Sequence, residues 1–378
     1  MKYNNNGYTP LHAACINGNI DIVNSLLKCN SSVNLFDINI LIYILLVQMV
    51  IQMLYRFYLT IIVTFSYKSK FDQHAIHIAC EEGYKDNMEI LIKHNVDLNL
   101  CGGLHEHTPI QYACLKDHTD IVKLLLDNNC EIIDNNGLSP ALHSACKGGS
   151  VDIVDLLLRN KCNINQCQPR TNQSLLIVAC NKNKEAVVKL LLSNEACDVN
   201  TIDCFNLNAL HYTCRNGQAD VVKLLLSNEA CDVNIIDCFN LNALHYTCRN
   251  GQADVVKLLL SNEACDVNII DCFNLNALHY ACRTGQADVV ELLLKRHCNI
   301  NQRSKLMNTP FILAVEGEHT EVVAMLLNNK CDINICNKDG HTARDIAVEK
   351  HYVDIENILL NAIENTNAHD ACTEQTKC

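Results

Sequence analysis

Cysteine and histidine are the residues of this 378-residue sequence best equipped for chemistry, at 24 Cys and 16 His. Such a set could cross-link a secreted scaffold, hold zinc, or pair a thiol nucleophile with an imidazole base. Spacing decides among these. No Cys-x-x-Cys occurs, and neighbouring Cys lie too far apart for a zinc knuckle. The Cys instead recur in three periodic classes, exemplified by Cys80, Cys114 and Cys146, by Cys130, Cys162 and Cys197, and by Cys204, Cys238 and Cys272. His recurs as His12, His77, His143, His211, His245 and His279, one per period beside the first Cys class. A catalytic pair is a single constellation, whereas these residues are copied many times, so the sequence predicts buried thiols and a His that bonds its own turn and ties one period to the next. A disulfide between adjacent loops is the competing reading of the loop Cys. No phosphate-cradling Gly loop, His-Glu-x-x-His or Gly-x-Ser-x-Gly is present, and the sequence predicts no enzyme, cofactor or metal site.

The elements that must position these residues follow from the period. The blocks Ser193 to Leu226, Ser227 to Leu260 and Ser261 to Leu294 are nearly identical; the first two differ only at Thr201 and Ile235, and the third departs at Ala281, Thr284 and Glu291. In Gly7-Tyr8-Thr9-Pro10-Leu11-His12, Gly makes a turn, Thr caps a helix and Pro occupies its first position. A second helix follows, written ADVVKLLL or DIVKLLL, with apolar residues at i, i+3 and i+4. An Asn- and Asp-rich loop then leads to the next cap.

This unit resembles the ankyrin repeat, through Thr9-Pro10-Leu11-His12, Thr108-Pro109-Ile110-Gln111 and Thr309-Pro310-Phe311-Ile312 and the loop Asp198-Val199-Asn200 with its copies. The near-identical blocks depart from the family pattern, with Asn208-Ala209, Asn242-Ala243 and Asn276-Ala277 for Thr-Pro and Asn206, Asn240 and Asn274 for the turn Gly. Asn caps helices and tolerates the left-handed conformation, so the turn is kept. After Ser139-Pro140 an additional Ala141 precedes Leu142-His143, which puts that one cap in question. The resemblance implies an all-α ankyrin-repeat solenoid of about eleven units: a first repeat over 1–39, an anomalous segment over 40–71, the array over 72–364 and a polar tail over 365–378.

The anomalous segment contains the apolar run Ile40 to Phe65, long enough to span a bilayer but interrupted by Gln48, Gln52 and Arg56. The competing reading is a repeat translated out of frame. The codon junction of Met49 and Val50 must then encode Gly, and that of Gln52 and Met53 Asn or Asp, where the period wants a turn and a second helix. The sequence thus favours a frame-shifted repeat, bounded near Asn39 and near Phe65 to Phe71. The amino terminus lacks the apolar core and cleavage site of a secretory signal, which points to the cytoplasm and reduced thiols. The first unit has no polar capping character, so a fragment of a longer protein is also foreseen.

What remains is surface. With 30 Lys and Arg against 42 Asp and Glu, the formal charge of -12 opposes nucleic-acid binding. Stacked units line up their loops and first helices into one concave face, where two ladders fall. One is Phe205, Phe239 and Phe273 with Leu207, Leu241 and Leu275; the other is Tyr212, Tyr246 and Tyr280 with Arg215, Arg249 and Arg283. These types mark binding faces, and the sequence predicts a protein-binding scaffold without a small-molecule substrate. The competing reading packs each Phe on the adjacent loop and pairs each Arg with a loop Asp such as Asp203 or Asp237. A membrane-tethered, channel-like or receptor-like protein anchored by 40–65, and the recognition part of a larger signalling or enzyme complex, are the other functional alternatives.

Overall fold

The computed structural model describes residues 74–134 and 137–363, and the chain divides into two compact units that meet in sequence at Gln166 and Cys167. The segments over 1–39, 40–71 and 365–378, with His12 and the apolar run, lie outside the described residues.

In the first unit the helices are α1 (Ala75–Glu82), α2 (Lys85–Lys93), α3 (Pro109–Leu115), α4 (Thr119–Asp127), α5 (Pro140–Gly148) and α6 (Val151–Arg159). Helices of seven to nine residues do not hold in water by themselves, so packing must supply their stability. It does so by stacking like on like. The first helices α1, α3 and α5 pack in series, and the second helices α2, α4 and α6 pack in a parallel series. In α4, Ile121, Val122 and Leu125 are fully buried, each contributing roughly 1.5–3 kcal/mol of transfer free energy.

The second unit repeats the plan. Its first helices are α7 (Leu175–Asn181), α9 (Ala209–Asn216), α11 (Ala243–Asn250), α13 (Ala277–Arg283), α15 (Pro310–Glu316) and α17 (Ala343–Glu349). Its second helices are α8 (Glu185–Leu192), α10 (Ala219–Leu226), α12 (Ala253–Ser261), α14 (Ala287–Lys295), α16 (Thr320–Asn328) and α18, over 353–363. Each first helix from α7 to α17 packs on the next first helix. Among the described residues there are no strands, only the isolated bridges Gly102 with His107 and Cys167 with Ser174. The all-α solenoid read from the sequence is the observed fold.

The turn chemistry is also as read. Asn206, Asn240 and Asn274 hold φ of 60°, 61° and 59°, the left-handed region that the replaced Gly would occupy. Asn208, Asn242 and Asn276 cap α9, α11 and α13 by accepting from the backbone N–H groups of His211, His245 and His279. The Ser139 cap departs from this pattern. With Ala141 added, Leu142 occupies the third helical position and His143 falls one residue too late to reach back. Gln166 substitutes: its Oε1 accepts from the Ser139 N–H at 2.7 Å and its Nε2 donates to the Ser139 carbonyl at 2.8 Å.

Candidate protein-binding face

His211, His245 and His279 are buried, and each joins two repeats. The His211 Nδ1 accepts from the N–H of Asn208 at 3.2 Å, while Nε2 donates to the Leu241 carbonyl of the next repeat at 3.1 Å. His245 reaches Leu275 and His279 reaches Asn308 in the same way, and His77 reaches Leu100 in the first unit. Donating from Nε2 and accepting at Nδ1 needs a neutral ring. Burial accordingly lowers all four pKa values, that of His279 to about 4. The structural role read for this column therefore holds at these positions; His143 alone, displaced by Ala141, contacts Gln166 at 3.3 Å.

The thiols are packing groups. Cys80, Cys114, Cys146, Cys180, Cys214, Cys248 and Cys282 are fully buried on the first helices. Burial pushes Cys114, Cys214 and Cys282 well above the ordinary thiol range, and Cys130, Cys298 and Cys331 up to about 12. A thiol held protonated is neither nucleophile nor metal ligand. Among the described residues no disulfide joins the loop Cys. No group of three or more His, Cys, Asp or Glu converges on a metal position among the described residues.

In the three identical loops a buried Asp organises the turn. Asp203 Oδ1 accepts from the N–H groups of Phe205 and Leu207, at 2.8 and 2.9 Å, and its Oδ2 accepts from the Tyr212 hydroxyl at 2.7 Å. Asp237 with Tyr246 and Asp271 with Tyr280 repeat this at 2.7 and 2.6 Å. Burial and the Asp hydrogen bond push the Tyr212 hydroxyl up to about 12. The loop Asp is thus paired with Tyr rather than with Arg. Arg215, Arg249 and Arg283 are exposed, and none forms an ion pair with a described carboxylate. The Arg215 guanidinium lies 5.1 Å from the centre of the Tyr212 ring.

The predicted ladders therefore split. Phe205, Phe239 and Phe273 are 59%, 57% and 59% exposed, and the strip continues through Leu306 at 59%. Leu207, Leu275 and Tyr212 are buried, and Leu241, Tyr246 and Tyr280 are half-buried, because the Asp-organised loop folds over them. The Phe backbones pair between repeats while the rings stay outside. The Phe205 carbonyl accepts from Cys238 N–H, that of Phe239 from Cys272 N–H and that of Phe273 from Lys305 N–H. Sequence reasoning named Asp203 and Asp237 only as partners for Arg, not for Tyr, and missed Leu306. An Asp nine residues before each Tyr, copied three times, was the available signal.

Residues 50–136, 76–168, 142–237 and 229–304 match a family model for three copies of ankyrin repeats, 305–347 one for many copies, and 6–38 that for a single repeat. The chain belongs to the ankyrin repeat family. Its sequence is 30% identical over 152 residues to the human transient receptor potential cation channel subfamily A member 1. That region is 39% of this chain and 11% of the channel. The crystal structure of the ankyrin repeat protein EF0377 is also similar, with 26% identity and a TM-score of 0.47 over 49% of this chain and 96% of that one. Ankyrin repeats generally mediate protein–protein interaction. No helix among the described residues is long and apolar enough to cross a membrane.

Proposed function

We propose that this chain is a non-enzymatic, cytoplasmic protein-binding scaffold that engages its partner through the loops and first helices of the near-identical repeats. The observation that carries this reading is the strip of Phe205, Phe239 and Phe273, more than half exposed while their backbone N–H and C=O groups bond the loop Asp and the next repeat. Rings left in water by an ordered loop are apolar area available to a partner, and aromatic residues dominate binding energies at such positions. No nucleic acid, cofactor or small-molecule substrate enters the reading, since the chain is acidic and the repeated first-helix Cys and capping His are engaged in packing and repeat junctions.

The test is cross-linked capture with the full chain and with Phe205→Ala, Phe239→Ala and Phe273→Ala combined. These rings are outside the core, so circular dichroism and melting should not change. A partner held by this face is recovered with the parent and lost with the variant; equal recovery by both rejects the face. A membrane-tethered protein anchored by 40–65 is the second reading, motivated by the apolar run. Partition of the expressed chain into detergent rather than buffer would favour it.

A further inference from the structure

Two exposed ladders run through α9, α11 and α13 and their loops in the second unit, and they are physically linked. From Arg215 the contact passes to the Tyr212 ring, from the Tyr212 hydroxyl to Asp203 Oδ2, and from Asp203 Oδ1 to the Phe205 N–H. Each of the three repeats presents one exposed Arg and one exposed Phe; the Tyr–Asp–Phe link recurs in all three, and the Arg contact to the Tyr ring is made by Arg215. Burial and the Asp hydrogen bond raise the Tyr246 and Tyr280 hydroxyls, and the positive charge of Arg215 opposes this at Tyr246, that of Arg249 and Arg283 at Tyr280. The Asp carboxylates beneath are used by Tyr and by backbone N–H groups, and the three guanidinia form no ion pair among the described residues.

The step of both ladders is one repeat. Packed helices lie about 8–10 Å apart. In a polyproline II strand three residues rise about 9.3 Å and complete one turn, so residues i, i+3 and i+6 share a side. A β-strand covers about the same distance in three residues but puts i and i+3 on opposite faces. A helix matches one side only every seven residues, about 10.5 Å, beyond that range. A polyproline II strand with a three-residue period presents two parallel rows at once, one for each ladder.

We propose that the face formed by Arg215, Arg249 and Arg283 with Phe205, Phe239 and Phe273 binds an extended acidic peptide segment, carrying a carboxylate and an apolar side chain once every three residues. This rests on the proposed protein-binding role. It adds the partner's chemistry: carboxylates on the guanidinia, apolar side chains on the Phe rings.

The probe is the fluorescently labelled peptide acetyl-(Glu-Pro-Leu)4-amide, titrated by anisotropy against the full chain at low and moderate salt. Controls are a peptide of the same composition with its four Glu contiguous, a heptad-spaced helical peptide and a single-stranded oligonucleotide of equal charge. The spaced peptide should bind about tenfold more tightly than the contiguous one, with affinity falling as salt rises. Arg215→Glu, Arg249→Glu and Arg283→Glu combined, at unchanged helical content, should weaken it by about tenfold or more. Equal binding of both peptides, preference for the helical peptide or the oligonucleotide, no binding at all, or undiminished binding by the triple variant each overturns the proposal. Capture that depends on the Phe ladder would survive such a result, so failure here is distinguishable from failure of the protein-binding reading.

Discussion

The Tyr212 hydroxyl donates to Asp203 Oδ2 at 2.7 Å, nine residues back and across the loop that carries Phe205. This bond completes the hydrogen bonding of the Asp203 carboxylate. A carboxylate that is only 3% exposed is stable when its lone pairs are used, and here two loop N–H groups and a phenol use them. The same trio recurs at Asp237 and Asp271, so it is a property of the repeat.

Tyr246→Phe removes one charge-assisted hydrogen bond without changing the ring. Such bonds contribute about 1.5–3 kcal/mol, and the Asp237 carboxylate would be left under-satisfied. Chemical denaturation should show a loss in that range, whereas Phe239→Ala on the exposed ring should leave stability within about 0.5 kcal/mol. Equal effects would mean that the Tyr–Asp bond does not hold the loop.

Acid should unfold the array through its His column. His279 has a folded pKa of about 4 against about 6.5 unfolded. The unfolded chain therefore binds more protons between these values, and stability falls as pH drops from about 6.5 towards 4, by up to ~3 kcal/mol from this residue. Above pH 6.5 both states are neutral there and the contribution is fully present. His279→Gln removes the titration and keeps an acceptor at the reach-back position, as Gln111 does for Thr108 at 2.7 Å. Melting temperature against pH should have a shallower acid slope in the variant; parallel slopes would remove His279 as a source of the acid sensitivity.

Alkylation should sort the thiols by place in the repeat. Cys101, Cys204 and Cys238 are exposed, and Cys214, Cys248 and Cys282 are fully buried with pKa values raised by burial. With iodoacetamide on the native chain, mass spectrometry should find the loop class labelled first and the helix class labelled only on unfolding. Early labelling of Cys248 would show that the stack opens locally.

The period, the helix pairs, the capping Asn and the left-handed Asn206, Asn240 and Asn274 were legible because each follows from local sequence copied in phase. The fate of individual face residues was not. Tyr212 and Arg215 lie three apart on one short helix, and periodicity alone places both on the same side. What separates them is the loop: Asp203 draws Tyr212 under it and leaves Arg215 outside, a contact between segments that helix periodicity does not encode. The exposure of Phe205 was legible because the residue belongs to the loop tip. Leu207, two residues on, is folded inward by the Asp203 bond to its N–H.

The Ser139 cap offers the most stringent test of how much one residue of spacing matters. There the reach-back group comes from Gln166 instead of the His, and Ser139 and Gln166 are 1% and 2% exposed. Gln166→Ala leaves the Ser139 N–H buried without its partner, at a cost of about 1–3 kcal/mol. Deleting Ala141 returns His143 to the third helical position, where His211 and its copies make the reach-back bond. In that background Gln166→Ala should cost less, because His143 then accepts from the Ser139 N–H. The double-mutant cycle measured by denaturation isolates this coupling. A cost for Gln166→Ala that is the same with and without Ala141 would show that spacing does not decide which residue closes the cap.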